Sequence, residues 1–145
     1  MKMKNICRLI FIVVSAFTLS ACSSTPSSSN AEAVLGNNLE KQTKGIVKLI
    51  YFKKVNTQES ELMGKKIFTI EFEAIIEFLE DCYWRQRNPI MDLPQSGIVV
   101  EREGGMFSQM FGMKKATTGQ RETITGTLRF HKTEKGWRGE DGQVY

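Results

Sequence analysis

Histidine occurs once in this 145-residue chain and cysteine three times, so the raw material for a metal or nucleophile site is thin. A zinc site takes three or four ligands from Cys, His and carboxylates, and His131 with Cys82, the one cysteine beyond residue 22, falls short of that. The same pair lacks a third orienting residue for nucleophilic catalysis. A lone Cys82 closes no internal disulfide. It reads as a buried thiol rather than a reactive one, and His131 reads as a surface strand residue. No calcium loop, P-loop, dinucleotide fingerprint or nucleophile elbow occurs. No metal, cofactor or catalytic residue is therefore expected, and the chain reads as a non-enzyme.

A charge excess of one sign is also missing. There are 20 basic and 16 acidic residues, but Lys2, Lys4 and Arg8 stand in the first 21 residues without an acid, which leaves 17 against 16 beyond them. Nucleic-acid binding needs a basic face that displaces counterions from phosphates, so that partner is not expected. Long hydrophobic runs are absent too. The apolar run at residues 9–19 has 11 residues, where a transmembrane helix needs about 20.

What is present at the N-terminus is a short basic start, that apolar run, and Leu19-Ser20-Ala21-Cys22. The three parts form a targeting signal, and the last four residues resemble the lipobox of bacterial lipoproteins. The resemblance covers residues 1–22 only. It implies that residues 1–21 are removed and that Cys22 becomes a lipidated N-terminus bearing a diacylglyceryl thioether, usually with a further acyl chain on its amine. Two or three chains hold a protein firmly on a membrane, at about 0.8 kcal/mol per buried methylene. In Gram-negative lipoproteins Asp after the cysteine favours inner-membrane retention; Ser23 here implies the outer membrane. The Ser-rich stretch to Asn30, with its single Pro26, has little to bury and reads as a flexible tether over residues 22–30.

Residues 31–145 form one globular domain, large enough to fold without metal or disulfide staples. Its centre is Lys66-Ile67-Phe68-Thr69-Ile70-Glu71-Phe72-Glu73-Ala74-Ile75-Ile76-Glu77-Phe78. Even positions from 68 to 78 are all apolar and odd ones mostly polar, the period of a half-buried strand. Helical spacing through Phe72, Ile75, Ile76 and Leu79 competes but leaves Ile70 and Phe78 off the face. Residues 79–84 are left undecided between strand and helix. Residues 46–55 predict a preceding antiparallel strand whose Lys48, Lys53 and Lys54 face Glu71, Glu73 and Glu77, with a polar turn at 56–61. Gly36, Asn37 and Asn38 limit residues 31–44 to a short helix at most. Pro89 and Pro94 predict a loop over 85–96, and Ile98, Val99 and Val100 a short strand. Residues 123–131, a turn at 133–136 and Trp137 predict a hairpin, with a second turn at Asp141 and Gly142.

Two stretches are candidate contact sites. Residues 106–113 hold three of the five methionines beyond residue 22, and flexible, polarizable Met is over-used on adaptable binding surfaces. Met106, Phe107, Met110 and Phe111 lie along one side of a predicted short helix, which either closes the sheet or meets a partner. Tyr83 and Trp84, beside Arg85 and Arg87, form a basic-aromatic cluster able to stack on sugar or peptidoglycan. The Glu row of the central strand reads as its solvated face.

The expected fold is β-dominated α+β: an antiparallel twisted sheet of four to six strands with one or two short helices. The expected function is that of a membrane-anchored envelope lipoprotein with a non-enzymatic module for a protein or cell-wall partner. The alternative is a carrier holding a small apolar ligand between the sheet and the Met/Phe segment.

Overall fold

The computed structural model describes residues 25–87 and 97–145, apart from the side chain of Phe107. Cys22, with the residues that resemble a lipobox, and most of the proline-containing connection lie outside the described residues. Among the described residues the fold is mainly β, in antiparallel sheets with two helices. Instead of one sheet there are two, of four strands and three.

The central strand is β2, Lys65–Phe78. Phe68, Ile70, Phe72, Ala74, Ile76 and Phe78 are all buried, as the alternation predicts. β2 is flanked by β1 (Val47–Leu62) and β6 (Arg121–Thr133), and β7 (Gly136–Arg138) adds to the far edge of β6. Ile124, Leu128 and Phe130 of β6 point inward, as expected.

The undecided stretch after β2 is a corner and then strand. Residues 79–81 break the ladder, and β3 (Cys82–Gln86) continues in the second sheet between β4 (Ile98–Glu101) and β5 (Lys114–Ala116). The corner adds no residue to either chain. The register that pairs Glu77 with Arg121 pairs Cys82 with Ala116 on the other side of the bend. The two sheets are thus one antiparallel ribbon folded at 79–81 and 117–120. Asp81 fixes the fold line by accepting hydrogen bonds from the Thr118 amide at 2.8 Å and its hydroxyl at 3.0 Å. Phe78 and Trp84 meet across it, ring centroids 5.3 Å apart. Arg85 and Gln86, expected in a loop, are strand residues because their backbone completes the β3–β4 ladder.

β1 runs through the expected turn at 56–61, and the reversal occurs at Met63 and Gly64. Both have positive φ, 52° and 75°, the requirement of a two-residue type I′ hairpin. β1 is a sheet edge, so its outer half can be polar on both faces and still pair through its main chain. Register shifts near Ile50 and Val55 bend the strand and, with Lys48, Lys53 and Lys54, guard the edge against further pairing. Lys48 does lie opposite Glu77, and Lys53 opposite Glu73. Glu77, however, forms its 2.6 Å ion pair with Arg121 on the other side.

The largest departure is at the start. Residues 28–30, expected in the tether, open the helix α1, Ser28–Thr43, which has four turns rather than one or two. Ser27 is the N-cap: its hydroxyl accepts from the Asn30 amide at 3.0 Å, and its own amide donates to Asn30 Oδ1 at 2.9 Å. Pro26 is fully buried. Ala31, Val34, Leu35 and Leu39 bury one stripe of α1, which packs against β1, β4 and β6. The residues that argued against a helix are held by tertiary contacts. Gly36 faces Leu49, leaving 3.9 Å for an added Cβ, and Asn37 donates to Asp141 at 2.8 Å. The apolar face of β2 is therefore covered by α1 and the second sheet, not by the Met/Phe segment.

Candidate interaction surface

The Met/Phe segment forms α2, Met106–Met110, a single helical turn between β4 and β5. It is closed from within by Ser108, whose hydroxyl donates to Glu101 at 2.6 Å and accepts from the Gly105 amide at 3.1 Å. The Met113 amide donates to the Ser108 carbonyl at 2.9 Å, and Gly112, with φ 66°, lets the chain turn back into β5. Ser108 is buried while the apolar side chains around it are not: Met106 is 79% exposed, Met110 73% and Phe111 55%. Among the described residues α2 packs extensively on no other element.

Two contacts fix this turn to the body. The Tyr83 ring lies directly over Gly104, in the space a Cβ there would need. Arg102 pairs with Glu80 of the corner at 3.0 Å, and that hydrogen-bonded pairing lowers the Glu80 carboxyl below its ordinary range and raises Arg102. Lys114 and Lys115, which follow the turn at the start of β5, are exposed.

The sequence-based candidates therefore separate. Met106, Met110 and Phe111 share one exposed knuckle, and Tyr83 supports it from beneath. Trp84 stands apart from them, buried against Phe78, because alternation in β3 sends it and Cys82 inward. Its indole nitrogen finds no hydrogen-bond partner among the described residues. Cys82 is buried, and burial, then the neighbouring Asp81 and Glu80, raises its thiol pKa. His131 is exposed on β6. No three His, Cys, Asp or Glu side chains among the described residues converge to hold a metal ion.

Sequence reasoning missed the supports, Glu101, Gly104 and Ser108, which carry no pattern of their own. It also missed the tip of the β1–β2 hairpin, where Leu62 is 61% exposed and Met63 95%; the Met-Gly pair was the available turn signal. No family model matches the chain, and no match was found among curated proteins or solved structures.

Proposed function

We propose that the chain is a lipid-anchored envelope protein whose β domain is a non-enzymatic module that docks a protein or cell-wall partner on the α2 knuckle. Cys22 is the anchor, through its lipobox, and Ser23 after it favours the outer membrane, facing the periplasm, in a Gram-negative envelope. The observation that carries the docking reading is the exposure of Met106, Met110 and Phe111 on a turn whose backbone is pinned by Ser108, Gly105 and Glu101. A rigid turn bearing exposed Met and Phe presents apolar surface at little ordering cost on binding. The carrier alternative has no comparable support, since α1 occupies the face of β2 that it would use.

The test is the double variant Met110→Ser/Phe111→Ser. Both side chains are exposed, so the variant is expected to unfold at the wild-type midpoint while losing partner capture. Loss of folding, or retained capture, would remove the knuckle from the interface.

A further inference from the structure

The two sides of the large sheet are protected to different degrees. β1 carries Lys48, Lys53, Lys54 and two register shifts along its free edge. On the other side β7 covers only residues 131–133 of β6, so among the described residues no strand runs beside 121–130 there. The ladder fixes where the main chain of that stretch points. The Phe78 amide donates to the Gln120 carbonyl at 2.9 Å, and the register with β2 is unbroken from Arg121 to His131. Even residues of β6 therefore bond to β2, and odd ones turn their N–H and C=O to the open side. The Arg129 amide does so and donates to Glu140 at 3.0 Å, which closes the open stretch at that end. The Thr125 carbonyl accepts from the Gln86 side chain. Over residues 121–127 there is no lysine, proline or register shift, the devices that keep an edge from pairing. Thr123, Thr125 and Thr127 are all exposed.

We infer that this edge joins two copies of the chain, β6 pairing antiparallel with β6 of a second copy about a two-fold axis beside Ile124. The inference stands apart from the docking role of α2 and from the lipid anchor. Outward-turned residues must face outward-turned residues, and that requirement selects the register. An axis beside Ile124 sets Thr123 opposite Thr125 of the second copy and Arg121 opposite its Thr127. The two strands then share about eight main-chain hydrogen bonds over 121–127. An axis at Thr125 would set Arg121 opposite Arg129, like charges that destabilise a cross-strand pair, and would displace Glu140. An axis nearer β7 would drive the second strand into residues 136–138, and one nearer the corner would shorten the pairing. In the selected register no like charges stand opposite one another. Arg121 is held by Glu77 at 2.6 Å, and Glu122, bonded by Gln120 at 2.7 Å, faces Gly126. Thr–Thr pairs are favourable across strands. Beyond residue 22 the charges stand at 17 against 16, so no net charge holds two copies apart.

In the test, a photo-crosslinking residue replaces Thr123 in the full chain in intact cells. An adduct of twice the chain mass is expected, with the crosslink in residues 122–129 of the second copy. Thr127→Pro should lower its yield about tenfold, because that amide points away from β2 and proline is tolerated on such an edge. Thr125→Lys, which leaves the backbone unchanged, should do the same, and it carries the test alone if the proline variant unfolds. Met110→Ser/Phe111→Ser should leave the self-adduct intact. No self-adduct, a self-adduct through another segment, or full yield in the folded edge variants would overturn the inference. Loss of the self-adduct in the α2 variant would move the contact to α2, and an adduct with a different protein in its place would give the edge to a foreign strand; either result overturns it as well.

Discussion

The ring of Phe72 lies against the Cα of Gly126, its partner across the β2–β6 ladder. A Cβ on Gly126 would come within 3.0 Å of Phe72 Cζ and 3.1 Å of Cε1. Ile124, Leu128 and Phe130 fill the other inward positions of β6, so this one glycine makes room for the large ring, which also stacks on Phe52 with centroids 5.7 Å apart. Gly126→Val is expected to overpack the site and cost about 1–3 kcal/mol in urea denaturation. Phe72→Leu should recover part of that loss in the double variant, a coupling expected between touching residues. Additive effects would show that the two do not share the space.

Residues 26–30 belong to the domain. Ser27→Ala removes a cap and is expected to cost about 1 kcal/mol. A chain beginning at Thr25 should unfold at the same midpoint as the full chain, and one beginning at Ala31 at a lower midpoint. Equal midpoints for both truncations would restore residues 26–30 to the tether.

Tyr145, Asp141 and Asn37 join the C-terminal segment to α1. Tyr145 donates to Asp141 at 2.6 Å. Burial, then this bond and the Asp141 charge, push the phenol up to about 12. A raised folded-state pKa contributes stability that is whole below the ordinary value near 10 and lost as pH rises toward 12. Asp141 moves the other way: burial alone would raise it, but hydrogen bonds from Asn37, Tyr145 and the Gln143 amide outweigh that and lower it. Its contribution is present above the ordinary carboxylate value and lost on acidification. The melting-temperature gap between wild type and Tyr145→Phe is therefore expected to narrow between pH 10 and 12. A gap unchanged over that range would contradict the assignment.

Met63→Asn creates the Asn-Gly pair that a type I′ turn favours. It should recover part of the ~1–2 kcal/mol that a left-handed conformation costs an L-residue, raising the unfolding midpoint. An unchanged midpoint would mean that the turn is unstrained.

Cys82 is 2% exposed in β3. Its modification by a thiol reagent should be slow in the native protein and at least a hundredfold faster in denaturant, following the opening of the structure. Rapid native labelling would place the thiol at the surface.

The legible parts of the fold were those where a half-buried sheet writes its period directly: the even positions of β2, the inward residues of β6, and the turns at 134–135 and 141–142. The parts that were not legible share one physical cause, in that distant residues override local preference. Gly36, Asn37 and Asn38 break a helix in isolation, yet here Asn37 is bonded to Asp141, a hundred residues away in sequence, and Asn38 is buried. Ser27 and Asn30 close a capping box without the usual Glu or Gln, so a serine-rich helix start read as tether. The outer half of β1 is polar because both its faces are wet, and its strand character comes from pairing with β2. At the candidate site the Met/Phe composition was visible at once. Its exposure was not, because whether the segment closed the sheet depended on α1, which did that work instead.

Photo-crosslinking in intact cells tests the docking face most directly. A crosslinking residue replaces Met110 on the knuckle or Gln58 on the outer half of β1, each in the full chain. A discrete adduct is expected from position 110, absent from position 58 and abolished when Phe111→Ser is added. No adduct from position 110, or the same adduct from both positions, would contradict a docking role for α2.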